Sequence, residues 1–380
     1  MTSSSPGEIY LDYNATAKVR PEAKAAVLAA LDLGGNASST HATGRAARAM
    51  IEGARADVAG LVGAPSGAVT FVSGGAEANS LAMASAIAAG CDRLIIGATE
   101  HDTISQTALT TGLDVAVWPV GGDGLADIDW LEAELGKGGR ALVCLMLANN
   151  ETGVIQPVSR AAELARAAGA WLHVDAIQAA GKIVVSFETL GADTLALSAH
   201  KLGGPQGVGA LVAAPNARLT RRQHGGGQER GVRAGTENLP GIAGFGAAAR
   251  AARTDLPRFA AIATDRNAFE TAAREAGAII LGQDAPRLPQ TSCLAMPGFA
   301  ADLQVIGLDL VGVRVSAGSA CSSGKVKASP VVTAMGREDL APYSIRVSGG
   351  WASTGADWAR CAEVWAGLNA RRRARALETA

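Results

Sequence analysis

From about residue 21 to residue 213 the sequence alternates helical apolar periodicity with short, nearly continuous apolar runs. The run at 141–148, ALVCLMLA, has no polar face, so as a strand it must be covered on both sides. Alternating βα units meet that condition by laying helices over both faces of a mainly parallel sheet. The pattern predicts strands at 68–72, 93–96, 141–148, 170–174, 194–197 and 209–212, and helices at 21–31, 45–62, 76–88 and 159–168. After the Gly-rich stretch 225–235, a long Ala-rich helical region at about 240–276 leads into further short strands and helices, which read as a smaller α/β domain. A length of 380 residues suits two domains, with three permitted, at about 100–200 residues each.

Composition narrows the function classes. The net charge of −1 is spread along the chain and leaves no basic footprint for nucleic acid or an anionic membrane surface. Although 48% of residues are hydrophobic, each apolar run breaks well short of the roughly 20 residues of a membrane span. The start, MTSSSPGE, lacks the features of a secretory signal, so a cytoplasmic location and a loose N-terminal arm are expected. The five cysteines are odd in number, widely spaced and without a C-x-x-C pair, which argues for reduced thiols rather than disulfides or a zinc site. The five histidines lie far apart and no H-E-x-x-H occurs, so no metal is expected.

In open α/β sheets ligands bind beyond the carboxyl ends of the strands, which directs attention to the residues that follow each apolar run. Ser73-Gly74-Gly75-Ala76 opens a helix, where free N–H groups and the dipole favour a phosphate. A Gly turn before a helix is by itself a weak signal. The following runs end in Glu100-His101, Asn149-Asn150-Glu151, Asp175-Ala176-Ile177-Gln178 and Ser198-Ala199-His200-Lys201. Alone, His101 or Asn150 reads as a cap or packing group, Asp175 as a cap and Lys201 as a surface lysine. Together they form a set. An Asp at the end of a buried strand needs a cation, such as a pyridinium nitrogen, while a desolvated lysine becomes a nucleophilic amine that can hold an aldehyde. Ser198 and His200 can donate to a phosphate.

These residues carry a resemblance. The segments 149–157 (NNETGVIQP), 173–182 (HVDAIQAAGK), 198–211 (SAHKLGGPQGVGAL) and 225–238 (GGGQERGVRAGTEN) are similar to those of cysteine desulfurases, class V aminotransferases of the fold-type I pyridoxal-phosphate enzymes. The likeness runs in order from Tyr10 to Ser348. It implies a large cofactor-binding domain at 14–245 and a small domain formed by 1–13 and 246–380, the latter carrying Cys321 and Arg346. It further implies that Lys201 holds pyridoxal 5'-phosphate as a Schiff base, Asp175 pairs with the ring nitrogen, Gln178 bonds the phenolic oxygen and His101 stacks on the ring. Gly75, Ala76, Ser198 and His200 would surround the phosphate, Asn150 and Arg346 would bind the substrate carboxylate, and Thr236 would reach a partner subunit's phosphate in a homodimer.

Residues 316–324 (SAGSACSSG) resemble the persulfide-forming loop of the NifS/IscS-type branch, with Cys321 as its thiol and Lys325 and Lys327 near in sequence. The resemblance implies that L-cysteine is converted to L-alanine while its sulfur passes to Cys321, for delivery to an iron–sulfur scaffold or another thiol acceptor. A selenocysteine lyase or class V aminotransferase would keep Lys201 and Asp175 without the same need for Cys321, and a cofactor-binding assembly or regulatory subunit with little turnover is a third reading. The sequence departs from the family at Ala76, where a phosphate-binding Thr is common, at Ala17, in place of the second Thr of N-A-T-T, and at Ala37, in place of the Pro of N-P-S-S.

Overall fold

The computed structural model describes residues 8–318 and 328–378. Its strands are β1 (Ile9–Tyr10), β2 (Val69–Val72), β3 (Arg93–Gly97), β4 (Asp114–Trp118), β5 (Ala141–Met146), β6 (Trp171–Asp175), β7 (Thr194–Ser198), β8 (Gly209–Ala213), β9 (Ile279–Leu281), β10 (Thr291–Ala295), β11 (Val313–Arg314), β12 (Ser316–Ala317) and β13 (Ser344–Ser348).

The faceless apolar run becomes β5, and its pleat sends alternate side chains into two cores. Ala141, Val143 and Leu145 join one core, whereas Leu142 and Cys144 join another on the opposite face. Helices Pro21–Leu33, Ala42–Leu61 and Leu239–Thr254 bury Ala30, Ile51, Val58, Phe245 and Ala248 in the first. Helices Gly75–Ala88 and Asp102–Leu109 bury Met83, Ala86, Ile104 and Ala108 in the second. The large sheet is therefore covered on both sides, as its composition requires.

Its seven strands lie in the order β2-β8-β7-β6-β5-β3-β4. Strand β8 is antiparallel to both neighbours, and the remaining adjacent pairs are parallel. Inserting one antiparallel strand between β2 and β7 leaves those two pointing the same way. The carboxyl ends of β2, β3, β5, β6 and β7 consequently open onto one edge.

The small domain is an antiparallel sheet in the order β12-β13-β10-β9. Helices Leu256–Glu275 and Gly355–Glu378 pack on it through Phe259, Phe269, Trp358 and Trp365. Strand β1 pairs in parallel with β11, and Leu11 enters the same core, so the N-terminal segment is part of this domain.

The observed strands differ from the six expected ones by at most two residues at either end. Strand β4 was not expected: it is an edge strand paired only with β3, and its exposed Asp114 and Val117 break the apolar run. The helical region expected at 240–276 is two helices, Leu239–Thr254 and Leu256–Glu275, because Pro257 in the first turn of the second cannot continue the preceding ladder. Ala248, Ala249 and Ala252 of the first helix lie in the large core, which extends beyond the sequence boundary at 245. Among the described residues no helix is long and apolar enough to cross a membrane.

One glycine shows how tightly the open edge is built. A Cβ at Gly209 on β8 would stand 2.7 Å from the carbonyl carbon of Gly74 and 2.7 Å from the oxygen of Leu197, both backbone atoms. Gly209→Ala should therefore lower the unfolding midpoint in urea by the equivalent of about 1–3 kcal/mol. An unchanged midpoint would show that the Gly74 turn is free to move away.

Candidate active site

The residues that follow β2, β3, β5, β6 and β7 line one cavity of about 660 Å³. Ser316 and Arg346 close it from the small domain, and Asn14 and Ala15 enter from the N-terminal segment. The cavity thus lies where the large sheet's strand ends, strands β12 and β13 and the segment at Asn14 and Ala15 meet. His101, Asn150, Asp175, Gln178, Ser198, His200, Lys201, Gly75, Ala76 and Arg346 all face it. Thr236 is exposed and does not line it. Cys321, Lys325 and Lys327 lie outside the described residues.

Lys201 ends the short turn Ala199–Lys201 that follows β7. Its Nζ donates to the carbonyls of Asn14 and Ala15 at 2.8 and 2.7 Å. Burial first, and then the Arg346 guanidinium, lower the amine from 10.5 to about 8, with Asp12 and Asp175 opposing them. A neutral amine has two N–H bonds, and the two carbonyls use both. Its lone pair is left for an electrophile.

Asp175 is the last residue of β6, buried, with Oδ2 accepting from Asn79 Nδ2 and Oδ1 from the Ile177 N–H, each at 2.9 Å. Burial raises its carboxyl, and those two donors, together with the nearby Lys201 amine, oppose the rise. A cationic ring nitrogen beside it would restore the ionised form. Gln178 Nε2 donates to the Asn14 carbonyl at 2.9 Å, and its Oε1 accepts from the buried Lys182 Nζ at 2.6 Å. That arrangement points the amide's oxygen end toward Lys182 and its donor end toward the Lys201 side.

At the other end of the cavity the 14-residue helix Gly75–Ala88 begins with a Gly74 cap that supplies no side-chain bond. Its first N–H groups need acceptors, and an anion supplies them. Gly75 packs against Ile177, whose Cδ1 a Cβ there would meet at 2.3 Å. The His200 imidazole is pushed down to about 4 by burial and by Lys201 and Lys182, so it is neutral, and its Nδ1 lies 3.1 Å from Thr16 Oγ1. An amine, a carboxylate and an anion cradle in one cavity suit a planar aldehyde that carries a basic ring nitrogen and a phosphate.

Arg346 of β13 is buried. Its Nη2 bonds Asp12 Oδ1 at 2.7 Å, its Nη1 donates to the Asn150 carbonyl at 3.2 Å, and its Nε has no partner among the described residues. A carboxylate ligand would satisfy that donor. His101 caps helix Asp102–Leu109, with Nδ1 accepting from the Thr103 N–H at 3.1 Å.

Sequence reasoning assigned no role to several groups that the fold brings here. Asn14 and Ala15 act through backbone carbonyls, which carry no side-chain signal. Glu151 is buried and Glu100 half-buried with its Oε2 enclosed, and their adjacency to Asn150 and His101 was the available hint. Glu151 lies 2.6 Å from Ser329 Oγ, and burial raises its carboxyl. Glu100 is raised to about 8 by burial and by Asp175. Its Oε1 accepts from the Met146 N–H at 2.5 Å, and its Oε2 has no partner.

Residues 9–359 match the family model described as Aminotransferase class-V. The chain is 42% identical over 335 residues to a cysteine desulfurase of Cereibacter sphaeroides, which covers 86% of each chain. It is 41% identical over 375 residues to a cysteine desulfurase of Frankia sp. (strain EuIK1), covering 91% of this chain and 87% of that one. Its fold is similar to that of a NifS-like protein from Rickettsia africae ESF-5, with a TM-score of 0.88 and 33% identity over 95% of this chain and 99% of that one.

Two measurements test these electrostatics in the cofactor-free protein. The rate at which trinitrobenzenesulfonate labels Lys201, taken as the difference between wild type and Lys201→Ala, should rise with pH through an inflection near 8 rather than near 10.5. For Glu100 the folded value, about 8, lies above the ordinary 4.5, so its contribution to stability is fully present below 4.5 and is lost as pH rises through about 8. Glu100→Gln should remove that part of the decline. Parallel pH–stability curves for the two proteins would mean that Glu100 is ionised in the fold.

Proposed function

The chain belongs to the class-V aminotransferase family, and from that membership and the chemistry of its cavity we propose that it is a pyridoxal-phosphate-dependent cysteine desulfurase. In this reading it converts L-cysteine to L-alanine and takes the sulfur onto Cys321 as a persulfide. The observation that carries the reading is the Lys201 amine, lowered to about 8, in one cavity with Asp175 and Arg346.

Lys201 would hold the cofactor's aldehyde carbon, Asp175 its ring nitrogen and Gln178 its phenolic oxygen, while His101 stacks on the ring. The N-terminus at Gly75 and Ala76, with Ser198 and His200, would cradle the phosphate. When bound, the cofactor supplies an electron sink for the pair released at the substrate's α-carbon.

The protein's own residues do the rest. Arg346 and Asn150 bind the substrate carboxylate, Arg346 through its guanidinium at the cavity wall. Lys201, with its Nζ free, would take the α-proton there. Cys321 attacks the substrate sulfur as a thiolate and the carbon–sulfur bond breaks; the β-carbon takes a proton delivered from His101 or a neighbouring group, and Lys201 returns its proton to the α-carbon to complete alanine. The persulfide then passes to a thiol acceptor, such as an iron–sulfur scaffold protein, in the cytoplasm. Thr236, exposed on the surface, completes the phosphate site of a second subunit in a homodimer.

The test is alanine formed from L-cysteine with pyridoxal phosphate and a thiol reductant, comparing wild type with Cys321→Ala. Many turnovers in the wild type and less than one alanine per active site in the variant are expected. Absence of alanine from fully cofactor-loaded wild type would sink the proposal. Equal turnover in the two proteins would remove Cys321 from the mechanism and favour a selenocysteine lyase or transaminase.

A further inference from the structure

We infer that Asn79 is a positioning residue that fixes the Asp175 carboxylate and the His101 imidazole at once, with His173 and Thr194 setting the orientation of its amide. The inference rests on the reading of Asp175 and His101 as cofactor contacts, and Asn79, His173 and Thr194 themselves lie behind the cavity wall rather than lining it.

Asn79 is wholly buried on helix Gly75–Ala88. Its Nδ2 donates to Asp175 Oδ2 and to Thr103 Oγ1, each at 2.9 Å, and its Oδ1 lies 3.0 Å from His173 Nε2. The other nitrogen of His173, Nδ1, lies 2.9 Å from Thr194 Oγ1. Both amide hydrogens and the amide oxygen are thus engaged. Strand geometry explains the cluster. His173 and Asp175 are two residues apart on β6 and share a face, and Thr194 on β7 is in register with His173.

The direction of each bond follows from chemistry. An ionised Asp175 only accepts, so the NH2 end of Asn79 must face it and Oδ1 must face His173. His173 then carries its proton on Nε2, and its Nδ1 accepts from the Thr194 hydroxyl. Burial pushes this imidazole down to about 4, which keeps it neutral with a single proton to place. The chain of donors runs one way, from Thr194 through His173 and Asn79 to Asp175. On the other arm, Thr103 Oγ accepts from Asn79 and turns its hydrogen toward His101 Nδ1, 3.1 Å away. His101 Nδ1 also accepts the Thr103 N–H, so the His101 proton sits on Nε2.

A merely structural cluster would hold the core together without tuning the site. The experiment therefore combines spectra with affinity in the cofactor-loaded protein, labelled with nitrogen-15 histidine and assigned with His101→Gln and His173→Gln. In the wild type both imidazoles should give the nitrogen shifts of the Nε2–H form. Asn79→Leu should weaken pyridoxal phosphate at least about tenfold through the lost bond to Asp175, and should move the pH midpoint of the bound cofactor's visible absorbance. Thr103→Val should move the His101 Nδ1 shift and weaken the cofactor less than Asn79→Leu does, because the Asn79 bond to Asp175 is kept. His173→Leu should weaken the cofactor in the manner of Asn79→Leu, with His173→Gln recovering part of the loss.

A folded Asn79→Leu with wild-type affinity, absorbance midpoint and histidine shifts would overturn the inference. If that variant does not fold, wild-type behaviour in both His173→Leu and Thr103→Val overturns it equally. A wild type that takes up no pyridoxal phosphate would instead defeat the functional reading, and the His101 and His173 shifts would still decide whether Asn79 sets them.

Discussion

Removing an amine and a carboxyl from water at the same sheet edge is the constraint around which the cavity is arranged. Burial draws Lys201 toward neutrality and Asp175 toward protonation, so both shifts favour uncharged forms. For the lysine that form is the reactive one. For the aspartate it is not; the Asn79 and Ile177 donors and the Lys201 amine favour its charge, and a cation on a ligand would add to them. A ligand that is electrophilic at one point and basic at another satisfies both groups at once. The same low polarity accounts for the raised Glu100 carboxyl and the lowered His200 imidazole.

Much of this was legible in the sequence because it depends on strand ends. Continuous apolar runs marked strands covered on both faces, and the polar residues just beyond them, from Gly75 to Lys201, were the ones that meet in the cavity. What the runs could not reveal was β4, whose exposed residues interrupt its pattern, or the helix break at Pro257 inside an Ala-rich region. The Asn14 and Ala15 carbonyls were equally hidden, since a backbone oxygen has no signature in the residue type. Asn79 stood in plain view beside the Gly turn. A fully buried amide among Ala78, Leu81 and Ala82 signals a polar network, but its partners on β6 and β7 are set by tertiary packing alone.

The departures from the family pattern fall where the backbone supplies the interaction. Ala17 is buried, and it is its N–H, rather than a side chain, that donates to the His200 carbonyl at 2.8 Å. Ala76 is exposed in the first turn of helix Gly75–Ala88, where the donors to an anion are the amides of the turn itself. A missing hydroxyl at that position removes about 1 kcal/mol of hydrogen bonding, with Ser198 and His200 facing the same cavity.

The N-terminal segment that supplies the two carbonyls to Lys201 is itself fastened by residues far along the chain. The Tyr13 N–H donates to the Ser348 carbonyl at 3.0 Å, the Asn14 N–H to Ser348 Oγ at 3.1 Å, and Asp12 pairs with Arg346. On a ribosome, residues 12–15 emerge well before their partners on β13, which lie 334 residues further along the chain. The large sheet can form during translation while its reactive lysine still lacks these fixed neighbours. Completion of the cavity thus waits until β13 has been made, and a chain that stops short of it cannot present a finished site.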